Sequence, residues 1–320
     1  MIYPWLQPTL AQWRERLLAD RKPQALIIHG NEGIGKGAFT DAIVAELMCR
    51  QPSPEPCGEC QSCRLLASGH HPDLIKLEPE KGLIKVKDIR RLVAFFVSTA
   101  HSGKHKLAVI ADAETMNKAA ANALLKVLEE PPASGLLILQ TAQMHHLLPT
   151  IRSRCLQLQI TLDSNQQESI LSWLKERHSV ATEELNWVMT VSDGLPLIAD
   201  SLLNLQMQNT FISHLDQLLE YLEESRAVTD TADYLMKNLD WLQWQLLQRY
   251  LMAYVKHQWQ PNNTLIWTQH PLTSWLRKQP DGISTCLKMC ELINQIMVNL
   301  TSQVKTQLQI ESMLVTLKQD

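Results

Sequence analysis

The sequence predicts an α/β fold with a parallel sheet for its first half and helices alone for the rest. Three observations carry this. Short continuous apolar runs alternate with helix-period segments as far as about residue 160, the pattern of strands buried on both faces. The first of these runs leads straight into a glycine-rich loop and then a helix, the order a phosphate-binding loop requires. After about Thr161 the strand patterns stop and only helical spacing remains.

Ala25-Leu26-Ile27-Ile28 reads as the first strand, and Gly30-Asn31-Glu32-Gly33-Ile34-Gly35-Lys36-Gly37 as the loop that follows it. Gly30, Gly33, Gly35 and Lys36 match the pattern G-x-x-x-x-G-K-[ST], in which backbone amides and the lysine cradle phosphates at a helix N-terminus. Gly37 stands where the pattern needs a hydroxyl for Mg²⁺, so the phosphate cradle is degenerate. A helix from about Lys36 to Cys49 follows. Cys57-Gly58-Glu59-Cys60-Gln61-Ser62-Cys63 is a C-x₂-C-x₂-C run, and with Cys49 eight positions earlier it offers four thiolates suited to tetrahedral Zn²⁺. A ferredoxin-type cluster wants cysteine then proline at 67 and 68, where Ala67 and Ser68 stand. His70 and His71 are substitute ligands, and free reduced thiols are the alternative.

Leu74-Ile75-Lys76-Leu77 reads as the second strand. Lys85, Lys87, Arg90 and Arg91 form a small basic cluster at a predicted helix start, either a DNA-contact site or a solvated face. Leu107-Ala108-Val109-Ile110 is a strand that delivers Asp112 to the Walker B place, where a carboxylate helps hold Mg²⁺; a helix N-cap or a solvated turn is the alternative. Glu114, two residues on, is expected to point elsewhere. Met116, Ala119, Ala120, Ala123, Leu124, Val127 and Leu128 recur at helical spacing up to the stop at Pro131-Pro132. Leu136-Leu137-Ile138-Leu139 is a buried strand, and Cys155–Ile160 alternates as a half-exposed one. Helical patterns then fill roughly 165–178, 182–193 and 197–206, with Gly194 as a C-cap. Longer helices run to the end, broken near Gln260-Pro261-Asn262-Asn263 and Pro280-Asp281-Gly282. Six of the nine tryptophans lie between Trp187 and Trp275, at spacings that suit core or interface anchors better than a base-stacking platform. Cys286 and Cys290 read as core.

A chain of 320 residues is expected to form two or three domains. The net charge of −3 excludes a strongly basic nucleic-acid binder, so any DNA contact must be a local patch. No apolar run approaches the roughly 20 residues that span a bilayer, and Met1-Ile2-Tyr3-Pro4-Trp5 lacks the features of a signal peptide. A cytoplasmic protein without a membrane partner is the expectation. The seven cysteines are then metal ligands or core residues rather than disulfides.

Ala119-Ala120-Ala121-Asn122-Ala123-Leu124-Leu125-Lys126-Val127-Leu128-Glu129-Glu130-Pro131-Pro132 and Thr150-Ile151-Arg152-Ser153-Arg154-Cys155 resemble the bacterial DNA polymerase III clamp-loader subunits, AAA+ proteins related to replication factor C. The Ser153-Arg154-Cys155 triplet is specific to that group. The resemblance implies that Arg154, with Ser153 beside it, is an arginine finger reaching ATP bound by a neighbouring subunit; a surface salt bridge is the alternative. Motor (gamma/tau) subunits share the cysteine cluster and the triplet, but carry an intact loop, a glutamate where this chain has Ala113, and a sensor arginine where it has Leu197. Tyr3-Pro4-Trp5-Leu6 and Glu80-Lys81-Gly82 also look like the non-motor branch.

The resemblance covers residues 1 to about 206. It implies a RecA-like AAA+ domain (1–162) with a zinc-binding insertion (about 49–63), a helical lid (163–206) and an all-α collar (207–320). It implies a stator that does not hydrolyse ATP itself, binds ATP doubtfully in its own loop, and is a component of the DNA polymerase III holoenzyme. Its partners would be the motor and delta subunits, primer–template DNA within the complex and, indirectly, the sliding clamp. An active P-loop ATPase motor and a zinc-containing DNA-binding module stay open as alternatives.

Overall fold

The computed structural model describes residues 2–19, 23–51, 55–80, 82–101, 105–132, 135–259, 271–279, 281–299 and 303–319. The chain divides into two compact units, Met1–Ile170 and Leu171–Asp320, with the boundary inside one helix.

The first unit runs α1 (Gln7–Leu18), β1 (Ala25–His29), α2 (Lys36–Met48), α3 (Gln61–Ala67), β2 (Leu74–Leu77), α4 (Val86–Val97), β3 (Lys106–Ile110), α5 (Lys118–Glu129), β4 (Gly135–Thr141), α6 (Pro149–Arg152), β5 (Leu156–Gln159) and the start of α7 (Gln167–Arg177). The strands form one parallel sheet in the order β2-β3-β4-β1-β5. Their sequences explain their places. Every residue of β3 and β4 is buried, which an interior parallel strand covered on both faces demands. Ala25, Ile27, Ala108, Ile110, Leu137 and Leu139 pack into one core with Ile89 and Leu92 of α4 and Leu124 of α5. The alternate residues Leu26, Ile28, Leu107, Leu136 and Ile138 are equally dry, on the face where α2 meets β1 and β4. Burying each such side chain stabilises by roughly 1.5–3 kcal/mol before chain entropy is counted. β5 lies at the edge and keeps its alternating exposure, one residue shorter at each end than the sequence pattern predicts.

Parallel pairing brings the C-terminal ends of β1, β3 and β4 to one edge, where open α/β sheets bind ligands. The glycine-rich loop leaves β1 there, Asp112 follows β3 and Thr141 closes β4.

The second unit is helical: the rest of α7, α8 (Thr182–Val191), α9 (Pro196–Asn204), α10 (Met207–Leu222), α11 (Val228–Asn238), α12 (Trp241–Trp259), α13 (Pro271–Lys278), α14 (Gly282–Asn299) and α15 (Gln303–Gln319). α12 packs on α14, and α15 on α11 and α14. Trp187 and Trp244 are core anchors, whereas Trp241 is half exposed. Asp193 and Gly194, both at positive φ, end α8, and the Gly194 N–H returns to the Met189 carbonyl at 2.7 Å, as the C-cap reading expects. The helix break around Pro280 falls between α13 and α14. The predicted break at 260–263, Trp267, Pro280 itself and Lys81 lie outside the described residues. Cys286 and Cys290 are buried in α14, and burial pushes their thiols up to about 12 and about 11. Among the described residues no helix is long and apolar enough to cross a membrane.

Candidate functional site

The glycine-rich loop carries the bends the pattern needs. Gly33 and Gly35 sit at φ 77° and 102°, backbone that other residues adopt only with strain, and Gly35 starts α2. Gly30 is required for a different reason. A Cβ there would lie 2.5 Å from the Ile160 carbonyl oxygen, a backbone atom that cannot yield. Gly30→Ala is expected to cost about 1–3 kcal/mol, the usual range for overpacking, read as a lower denaturation midpoint; unchanged stability would contradict this contact.

Lys36 is folded onto its own loop. Its ammonium donates to the Gly30 carbonyl at 2.9 Å and the Asn31 carbonyl at 3.1 Å, using two of its three donors. Burial lowers its pKa, opposed by the carboxylates of Glu114, Asp112 and Glu32. On the other side of the loop, the Trp5 indole donates to the Ile34 carbonyl at 2.8 Å, and Tyr3 stacks on Trp5 at 4.8 Å. Tyr3 and Leu6 press against Gly35, within 3.2 Å of where its Cβ would be. Position 37 is open: a Cβ on Gly37 would meet no atom within 4 Å. Packing therefore does not force the missing hydroxyl.

Asp112 stands after β3 in left-handed backbone, φ 44°, before a 3₁₀ turn Ala113–Thr115. Its side chain makes no cap hydrogen bond, so the N-cap alternative does not hold. Burial raises its pKa, with Glu114 adding to the rise and Lys36 opposing it. Glu114 turns its Oε1 to the Ala142 N–H just past β4, at 2.9 Å, and from there its charge opposes the fall at Lys36 and adds to the rise at Asp112.

The triplet after α6 splits by burial. Cys155 is part of the sheet core, and burial pushes its thiol up to about 12. Ser153 bonds back to the Thr150 carbonyl at 3.2 Å. Arg154 projects outward, with its side chain 39 % exposed. It donates through Nη1 to the Thr150 carbonyl and through Nη2 to Glu129, both at 3.1 Å. Glu129 and Glu130 sit at the C-terminal end of α5, where the helix dipole disfavours negative charge, and Arg154 offsets it. The salt-bridge alternative for Arg154 is thus real in the single chain.

Cys49, Cys57, Cys60 and Cys63 converge, their sulfurs all within 4.8 Å of one another. Cys49 follows the last residue of α2; Cys60 caps α3 and Cys63 lies in its first turn. A tetrahedral Zn²⁺ with bonds of about 2.3 Å sets its sulfurs about 3.8 Å apart. The Cys49–Cys57 and Cys57–Cys63 separations are 3.6 and 3.9 Å, so the four residues fit that ion. Backbone N–H groups of Cys57, Cys60 and Cys63 each donate to a cluster sulfur at 3.4 Å, which favours thiolates. Hydrogen bonds from the backbone of Arg50 and Cys63 lower the Cys60 thiol to about 6.

His71 is not a substitute ligand. Its Nδ1 accepts the Asp73 N–H at 3.1 Å and its Nε2 meets the Ser62 hydroxyl at 2.9 Å. His70 is exposed and outside the cluster. Of the basic cluster, Lys85 opens α4 through a reciprocal cap with Asp88, Lys87 pairs with Glu80 at 3.3 Å, and Arg90 and Arg91 are exposed.

Residues 5–164 match the family described as DNA polymerase III, delta subunit. The chain is 41% identical over 205 residues to the DNA polymerase III subunit delta' of Pseudomonas aeruginosa, covering 63% of this chain and 61% of the relative. It is 36% identical over 197 residues to the subunit delta' of Escherichia coli, covering 61% and 58%. A subunit tau/gamma of Haemophilus influenzae matches at 30% over 185 residues, 57% of this chain and 27% of the relative. The matched segment thus spans about three fifths of the length of the delta' relatives. A DNA polymerase III gamma subunit-related protein from Thermotoga maritima shares the fold, with TM-score 0.52 and 18% identity over 97% of this chain and 99% of its own.

Proposed function

Because the chain belongs to the family described as DNA polymerase III, delta subunit, we propose that it acts as a delta-prime stator of a bacterial clamp loader. In this reading it assembles with motor and delta subunits and presents Arg154 to ATP held by the neighbouring motor. Loading of the sliding clamp at primer–template DNA is the outcome, and this subunit does not hydrolyse ATP. The observation that carries the non-hydrolysing part is Lys36, bonded to the carbonyls of Gly30 and Asn31 beside a position 37 without a hydroxyl. Phosphoryl transfer needs that lysine on the phosphates and that hydroxyl on Mg²⁺. Ala113 also removes the carboxylate that would orient water.

A four-thiolate Zn²⁺ held by Cys49, Cys57, Cys60 and Cys63 is the cofactor in this reading, with a structural role. Helices supply the lid (163–206) and the collar (207–320) in this reading, the latter joining the oligomer. The start of α4 adds the DNA-facing patch: Lys85, Lys87, Arg90 and Arg91 stand at the positive end of a helix dipole, where phosphate binds.

One observation favours the working-ATPase alternative: Glu114, held by the Ala142 N–H, puts a second carboxylate beside Asp112 at the C-terminal edge of the sheet. Turnover assays separate the readings. The purified chain is expected to show no ATP turnover above background, and Lys36→Ala to leave clamp loading by the reconstituted complex intact. Gly37→Thr is expected to fold with undiminished stability, because its Cβ enters open space, and still not to hydrolyse ATP. Steady-state turnover by the wild-type chain that Lys36→Ala abolishes would establish the motor reading instead.

A further inference from the structure

We propose that His71 is a positioning residue of the four-cysteine metal site, acting through Ser62 to set Cys49 against Cys60 and Cys63. The proposal rests on the four-thiolate reading of the site and adds a residue that touches no metal.

The hydrogen-bond chain can be assigned from its ends. The Asp73 N–H can only donate, so His71 Nδ1 accepts and carries no proton. The neutral ring then carries its proton on Nε2, which donates to the Ser62 oxygen at 2.9 Å. The Ser62 hydroxyl hydrogen goes on to the Met48 carbonyl at 2.7 Å. Neither ring nitrogen keeps a lone pair for a metal.

What the chain joins gives it a purpose. Met48 ends α2 and directly precedes Cys49. Ser62 lies in the first turn of α3, between Cys60, which caps that helix, and Cys63. The Ser62–Met48 bond therefore ties the end of α2 to the start of α3, the two backbone segments that deliver three of the four thiols. A serine hydroxyl has several rotamers, and His71 leaves it one. The relay is dry: Ser62 is 1% exposed, His71 5% and Asp73 0%. Breaking it would leave polar groups buried without partners, which costs more than a surface hydrogen bond. Partners of this kind, one step behind the ligands, typically change metal affinity 10–100-fold.

The test titrates the metal-free full-length chain with Zn²⁺ against a chromogenic chelator, and with Co²⁺ read by its thiolate charge-transfer and d–d bands. His71→Asn keeps the acceptor for Asp73 but cannot reach Ser62. His71→Gln places an N–H donor near the Nε2 position. Ser62→Ala removes a single hydroxyl. The expected result is about 10–100-fold weaker Zn²⁺ binding in His71→Asn and in Ser62→Ala, no further loss when the two are combined, and substantial rescue in His71→Gln. The Co²⁺ spectrum should keep its four-sulfur form in every variant that binds. Wild-type affinity in both His71→Asn and Ser62→Ala would overturn the role of His71 alone. A Co²⁺ spectrum showing a nitrogen ligand that His71→Asn removes would make His71 a ligand and overturn it too. A wild-type chain that takes up neither ion would remove the four-thiolate site and, with it, this proposal.

Discussion

Arg154→Ala is expected to produce the largest functional loss: slow clamp loading by a complex that still assembles. Arg154 stands on the loop between α6 and β5, and Cys155 buried behind it fixes where the side chain leaves the surface. Two guanidinium nitrogens contact Thr150 and Glu129, which leaves further N–H groups of the fork for phosphate oxygens. The Glu129 pair is exposed on both sides, and such pairs contribute about 0–1 kcal/mol. A neighbour's triphosphate can therefore replace it at little cost. A finger supplied in trans is worth on the order of 10³–10⁵ in rate at its own interface. Total ATP turnover falls only partly if other motor sites keep their own fingers, so clamp loading is the sharper readout. Arg154→Lys should rescue poorly, because a point charge lacks the planar two-pronged geometry. The measurement is loading rate with complexes whose composition is verified by native mass spectrometry. Wild-type loading by the Arg154→Ala complex would leave Arg154 as the partner of Glu129 and nothing more.

Cys60→Ser, or stripping of the metal, is expected to produce the largest loss of stability. Structural zinc contributes folding energy directly, roughly 10–16 kcal/mol apparent in isolated finger peptides at neutral pH. Here a bound metal would hold a short segment between α2 and β2 that also has the Ser62–His71 relay, so the loss should be smaller than in a finger that has nothing else. A fall of about 4 kcal/mol, the upper range for a single substitution, corresponds to a Tm lower by about 10 °C for a unit of this size. Elemental analysis of the untagged chain should find about one zinc. A metal-free chain with undiminished Tm would contradict the structural role.

β1, β3 and β4 were legible because each holds a short aliphatic run, and a parallel sheet covered on both faces leaves few polar positions inside such strands to blur the pattern. β5 was read one residue too long at each end, since the alternation of burial runs on to Cys155 and Ile160, one residue past the paired positions. The convergence of the four cysteines was legible because they lie close in sequence, with local spacing doing most of the positioning. Where Glu114 lands was not legible, because the left-handed Asp112 and the turn after it end the strand period. The place of His71, by sequence no more than a substitute ligand, was not legible because a histidine's partners, here the Asp73 amide and the Ser62 hydroxyl, come from a fold that spacing does not encode.

By itself the sequence determined the five strands of the first half, the four thiols, the missing hydroxyl at Gly37 and the triplet Ser153-Arg154-Cys155. These depend on residue type and short-range spacing, where side-chain chemistry and backbone period act directly. Only the tertiary structure decided how those parts are used. It turned Lys36 onto its own loop, set Tyr3 and Leu6 against Gly35, brought Glu114 to the Ala142 amide, paired Arg154 with Glu129 across 25 positions and closed the His71–Ser62–Met48 chain. Each of these is a meeting of side chains or backbone groups delivered by different elements. Such meetings follow from strand order and from which face each helix covers, and no local pattern of residues records them.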